Sequence, residues 1–211
     1  MPLKDPDSDT ARDAVGPAEA YDWVAKTLHW GMALVLLGLG LLGYYMSGQP
    51  FSLRTFRLFD LHKSLGLILL GLAALRLLRR WRKGAPEPLT QGAKPWELLL
   101  ARIVHVALYA LMFAVPVLGW VGASASGLPM TWFGLADIPS ITSADKEVQD
   151  WAFHLHEWGV WLLLAFVSLH AAGALKRHFV LKDETLVRML PFGSALSAYL
   201  RRQRHLSEYR G

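Results

Sequence analysis

The stretch Trp151–Leu175, WAFHLHEWGVWLLLAFVSLHAAGAL, decides the reading of this chain. It is apolar enough to cross a bilayer, and it carries His156 and His170 fourteen residues apart. Fourteen residues are almost four whole helical turns, so both imidazoles share one helix face, about 21 Å apart along the axis. A hydrocarbon core is roughly 30 Å thick, so one histidine falls in each leaflet. Ionisable side chains at such depth are rare and mark function by default.

Three further apolar runs precede this one. The predicted spans cover about residues 27–46, 61–81, 97–121 and 151–175, each near the ~20 residues that a tilted helix needs. The composition agrees: 211 residues, 53% hydrophobic, nine Trp and a mean hydropathy of +0.27. The fold class expected is therefore an all-α membrane protein, a four-transmembrane-helix bundle in the lipid bilayer. Its domain occupies residues 21–191, between an N-terminal tail, 1–20, and a basic C-terminal tail, 192–211.

Charge sets the orientation. Arg79, Arg80, Arg82, Lys83 and Lys94 follow the second span, and Lys176, Arg177, Lys182, Arg188, Arg201, Arg202 and Arg204 follow the fourth. The third loop holds Asp137, Asp145, Glu147 and Asp150 against Lys146. By the positive-inside rule both termini are cytoplasmic, with Arg54 and Arg57 in the first loop as the exception. The polar first 20 residues lack an apolar h-region and read as a disordered cytoplasmic tail, not a cleaved signal peptide. The net charge of +5 gathers at membrane edges and is no nucleic-acid signal. Absence of cysteine excludes disulfides, thiolate zinc, iron–sulfur clusters and covalent c-type haem.

Depth pairs the histidines. His29 starts the first span on the inner side and His62 opens the second on the outer side. That gives an outer pair, His62 with His156, and an inner pair, His29 with His170. Two neutral imidazoles from different helices grip a haem iron from opposite faces, and iron with no open position favours electron transfer over oxygen binding. For any single histidine the alternative is a helix–helix hydrogen bond; four at two matched depths favour two stacked b-type haems. His105, in the inner half of the third span, competes with His29 as partner of His170, or serves as a propionate, quinone or packing contact. His154 points about 200° away from His156 and reads as interfacial. Arg76, fourteen residues after His62, lies at the inner level, as a propionate partner or as a snorkelling cation. Arg102 invites the same two readings. Gly31, Gly38, Gly40, Gly43, Gly66, Gly71 and Gly173 suit either close helix packing or a flat macrocycle. Pro116 predicts a kink in the third span.

With these residues placed, TLHWGMA at His29, DLHKSLG at His62, RIVHVALYALMFAVPVLGW at His105, and LHEWG through SLHAAGALKRH around His156 and His170 resemble the bacterial cytochrome b561 family. LKDETLVRMLP, ending at Pro191, resembles the segment that ends the family's last helix. The resemblance runs from Tyr21 to Pro191 and relates the chain to cytochrome b subunits of nickel–iron hydrogenases. It implies two haem b groups with His29, His62, His156 and His170 as axial ligands. It also implies membrane quinone, ubiquinone in particular, as electron partner in the bacterial inner membrane. Some members resemble superoxide oxidases, passing an electron from superoxide outside to ubiquinone near the inner haem; others serve periplasmic redox donors. Arg54, Arg57 and Lys63 either attract an anion at the outer face, against the acidic third loop, or, for Arg57 and Lys63, are solvated loop charges. Trp30, Arg177 and His178 border the expected quinone pocket by position alone. Two rivals stay open: an electron-transfer subunit of a larger redox complex, and a haem-free bundle whose histidines relay protons.

Overall fold

The computed structural model describes residues 20–50, 52–84, 86–90 and 92–193; of the expected tails, 1–20 and 192–211, all but residues 20, 192 and 193 lie outside them. Four long helices form the bundle: α1 Trp23–Ser47, α2 Leu53–Lys83, α3 Pro95–Ala125 and α4 Lys146–Phe179. A two-stranded hairpin, β1 Thr131–Trp132 with β2 Ala136–Asp137, stands between α3 and α4. A short helix, α5 Thr185–Met189, follows α4. All four long helices are long and apolar enough to cross a membrane.

Each helix outruns its predicted span because polar residues cap it outside the apolar run. Asp22 accepts the Ala25 amide, Ser52 that of Thr55, and Asp145 those of Glu147 and Val148. The α3 start instead combines Pro95 in the first turn with the Glu97 carboxylate accepting the Lys94 amide. The Ser52 cap corrects one expectation. Helix α2 begins at Leu53, so His62 lies in its third turn, and Arg54 and Arg57 belong to the helix, not to the first loop.

The surface is the reverse of a soluble protein's. Leu34, Leu41, Val106 and Trp161 are among many large apolar side chains left exposed on the helices. Trp23, Trp81 and Trp96 are exposed at the ends of α1 and α2 and the start of α3 on one membrane face; Tyr44 and Trp151 mark the other. These are the two aromatic belts expected of a spanning bundle.

The buried core sits between the two histidine levels. Met32, Leu39, Leu69 and Ala73 form one cluster and Val104, Leu108 and Leu163 another, with Leu36 and Met112 packed against both. Helices α3 and α4 pack most extensively. A Cβ on Gly122 would come within 2.8 Å of the Phe153 ring, and one on Gly159 within 2.8 Å of Val115. Small residues therefore let these two backbones approach.

Two ties close the ends of the bundle. At the end expected to face outward, the hairpin turns through Phe133 and Gly134, both at positive φ (53° and 71°), a primed turn that suits a hairpin. It docks on α2: Asp60 accepts from the Thr131 hydroxyl, and the Ser64 hydroxyl accepts the Phe133 amide at 2.9 Å. At the inner end the chain after α4 folds back. Arg177 bonds to Asp183 at 2.6 Å, to Thr185 at 3.0 Å and to the Leu89 carbonyl; Arg188 donates to the Glu87 carbonyl at 3.0 Å. The segment expected to end the last long helix is thus a separate piece, α5, laid against the α2–α3 connection.

Candidate functional site

The helices bring the four histidines together as the depth argument pairs them. At the outer level the His62 and His156 ring centroids are 6.2 Å apart with planes at 74°, and at the inner level those of His29 and His170 are 6.1 Å apart at 69°. Two imidazoles on opposite sides of one metal atom put their centroids about 6 Å apart, since each contributes a bond of about 2 Å plus the ring radius. Both pairs meet that separation. His105 lies closer to His170, at 5.0 Å and 74°, too near to share a metal across it. His156 and His170 stand on one unbroken helix, which fixes the two levels about 21 Å apart.

The outer level is braced by packing. The Val115 carbonyl lies 2.8 Å from His156 Nδ1; a carbonyl only accepts, so Nδ1 carries the proton and Nε2 keeps its lone pair. Gly119 makes room for this ring, since a Cβ there would lie 3.0 Å from Nδ1. On the other side Gly43 of α1 faces His62, where a Cβ would lie 3.3 Å from Cε1. His62 Nδ1 is buried without a hydrogen-bond partner among the described residues. Lys63 pairs with Asp60 at 2.9 Å, so its charge is partly neutralised; Arg54 and Arg57 are exposed.

The inner level is richer in polar groups. His105 Nδ1 donates to the Ala101 carbonyl at 2.7 Å, one turn back on its own helix. Arg76 donates through Nε to the Tyr109 hydroxyl at 3.1 Å, one turn along α3 from His105. Trp30 packs edge-on to His29, with its indole N–H given to the Met189 carbonyl at 3.0 Å. Trp30 and Arg177 thus hold the folded-back segment at this end of the bundle, and His178 Nδ1 is buried without a hydrogen-bond partner. His154 is exposed, as an interfacial residue should be.

The residues present fit a haem. Four imidazoles supply the donors, and the pair separations match. Gly66 and Gly173 lie one turn from His62 and His170, and a Cβ built on either meets nothing within 4 Å. Sequence reasoning missed Val115, Gly119 and the Asp60–Thr131 tie. Asp60 was visible only as the neighbour of His62, since its partner stands 71 residues away.

Four membrane-length helices enclosing two levels of facing imidazoles define a multi-pass membrane bundle of the haem-cytochrome class. The chain belongs to the prokaryotic cytochrome b561 family, which it matches over residues 20–192, and that membership implies b-type haem in a bacterial membrane. It is 36% identical over 183 residues to cytochrome b561 homolog 2 of Escherichia coli strain K12, covering 86% of this chain and 95% of that one. It is 32% identical over 178 residues to the probable superoxide oxidase CybB of Yersinia pestis, covering 81% and 96%. Cytochrome b562 of Cereibacter sphaeroides is 28% identical over 179 residues, covering 81% and 94%.

Proposed function

We propose that this protein is a di-haem electron-transfer cytochrome, moving single electrons between a donor at the outer membrane face and quinone at the inner one. The observation that carries the reading is the pair of imidazole separations, 6.2 and 6.1 Å, stacked on one helix. His62 and His156 would hold one haem b, and His29 and His170 the other. Bound there, each group would supply one-electron exchange.

The chain's own residues do the rest. Val115 fixes the His156 tautomer and ring orientation, a role outer partners of ligand histidines commonly fill. The apolar layer around Leu36 and Met112 keeps water from between the two levels. Arg76 and Tyr109 place donors at the inner level for a carboxylate. Both termini face the cytoplasm, which puts the basic connection after α2 and the end of α4 inside.

The donor in this reading is superoxide. Each superoxide anion gives up one electron and leaves as dioxygen; two such electrons and two protons turn one quinone into a quinol. Support comes from the exposed Arg54 and Arg57 on the outer end of α2, and from the name of the Yersinia pestis relative. With Lys63 engaged by Asp60, the two arginines carry the attraction. The quinone is taken up at the inner end, near Trp30, Arg177 and His178.

Purified protein in detergent tests the core of the reading. A dithionite-reduced minus oxidised spectrum and a pyridine haemochrome count should give two low-spin b haems per chain. A colourless protein, even after haem supplementation during expression, would leave the proton-relay bundle in front. Superoxide-driven reduction of ubiquinone that falls as salt rises tests the donor; its absence at any salt concentration removes superoxide. A stoichiometric redox subunit co-purifying with the chain would favour the larger-complex reading.

A further inference from the structure

The last turns of α2 carry Arg76, Arg79 and Arg80, which at spacings of three and four residues share one helix face. They line a small, shallow cleft open to its surroundings, together with Tyr21, Ala25, Gly84 and Tyr109. Like charges so spaced repel each other unless an anion joins them. Asp22 supplies one, ion-paired to Arg79; the Ala25 amide and the Arg79 guanidinium hold its carboxyl below the usual carboxylate range. Arg76 bonds to Tyr109, and no acid among the lining residues meets Arg80. Arg79 Nε is also buried with no hydrogen-bond partner among the described residues.

The surroundings say what kind of anion fits. Trp23 and Trp81, exposed at the ends of the two helices that border the cleft, put its mouth at the membrane–water interface. Leu75, Leu77 and Leu78, exposed on α2 just below, present an apolar surface to acyl chains. We propose that this cleft binds the phosphate of an anionic phospholipid headgroup, with the acyl chains lying along α2. Guanidinium forks match phosphate oxygens, and basic pockets at the ends of spanning helices recognise acidic lipids on this principle. The site takes Arg79 and Arg80 as its phosphate contacts and leaves Arg76 and Tyr109 to the carboxylate of the proposed inner haem.

A soluble phosphate offers the same oxygens, so the test separates the two sources. Delipidated, haem-loaded protein in neutral detergent is titrated with dioctanoyl phosphatidylglycerol, dioctanoyl phosphatidylcholine or inorganic phosphate. Native mass spectrometry reads the adducts and thermal unfolding reads the stabilisation. Phosphatidylglycerol should form a one-to-one adduct and raise the unfolding midpoint at concentrations where the other two do neither. Arg79→Gln and Arg80→Gln should each weaken that binding about tenfold, the loss of one charge-assisted contact. Arg102→Gln, exposed on α3 and outside the cleft, should leave it unchanged. Arg80 is exposed, so R80Q carries the test even if R79Q loses its haem spectrum and fold. Equal binding of phosphatidylcholine, an equal midpoint with inorganic phosphate, or equal loss in R102Q would each overturn the proposal. Leaving Arg76 untouched keeps any propionate contact of that residue out of the measurement.

Discussion

The two histidine levels use the same pair separation and are held in different ways. At the outer level, glycines on α1 and α3 press against the rings, a carbonyl orients His156, and the hairpin is tied to α2 two residues before His62. At the inner level a third imidazole, an arginine and a tyrosine crowd the pair, and a cationic cleft opens beside them. One site is fixed by shape and the other is surrounded by charge. Substitutions should therefore damage the outer level through packing and retune the inner level through its field.

Removing a ligand breaks the comparison most severely. His156→Ala should take the haem count from two per chain to one and leave the inner signal in the reduced spectrum; His170→Ala should do the converse. His105→Ala should keep both haems, because at 5.0 Å from His170 it is too close to share an iron with it. Loss of the inner haem in H105A, with H29A retaining it, would reverse the inner assignment.

Packing comes next. At Gly119 even a methyl group would lie 3.0 Å from His156 Nδ1, between two helices already in close contact. Gly119→Val overpacks that contact by about 1–3 kcal/mol. The outer haem should be lost or partly occupied and the inner haem kept, read from the same pyridine haemochrome count. Valine at Gly173, where a Cβ meets nothing within 4 Å in this structure, is the matched inner-level substitution. If that open space belongs to the inner haem, G173V lowers inner occupancy; if it faces lipid, both haems remain.

The levels also differ in what the sequence made readable. The four spans, the pairing of the histidines and the depth of Arg76 follow from helical period and bilayer thickness, both of which act along a single helix. The tie between Asp60 and Thr131 spans 71 residues and the contact of His156 with Val115 spans 41. No local period encodes either. The same limit explains His62, placed at the start of its span because the apolar run begins there. A Ser52 cap lets the helix start nine residues earlier through polar sequence. The Arg177 and Trp30 bonds to the folded-back segment were hidden for the same reason.

The hairpin tie gives a smaller effect, confined to one end. Asp60→Asn removes the charge that pairs with Lys63 and weakens the acceptor for Thr131. The net cost should be about 1 kcal/mol, that of one hydrogen bond to a partly exposed group. Limited proteolysis should cut the segment between α3 and α4 faster in D60N, with the haem count unchanged. The freed Lys63 should also steepen the salt dependence of superoxide-driven quinone reduction. An unchanged proteolysis rate would mean that the Ser64 bonds hold the hairpin alone.

The finest test separates shape from field at the inner level. Arg76 bonds to Tyr109, which stands one turn from His105 on α3, so its guanidinium charge lies at the inner level. A fixed positive charge beside a haem favours the reduced form, because reduction removes one positive charge from the iron. Arg76→Gln should therefore lower the inner midpoint potential, on the order of tens of millivolts for a charge of this kind in a partly buried site. The outer potential, a membrane leaflet away, should stay put. Tyr109→Phe keeps the charge and removes only the bond that positions it, so its shift should be smaller and of the same sign. A redox titration of each variant, followed at the haem α-band, gives both values in one experiment. If R76Q moves the outer potential as far as the inner one, the two levels are coupled through the bundle and the division between them fails.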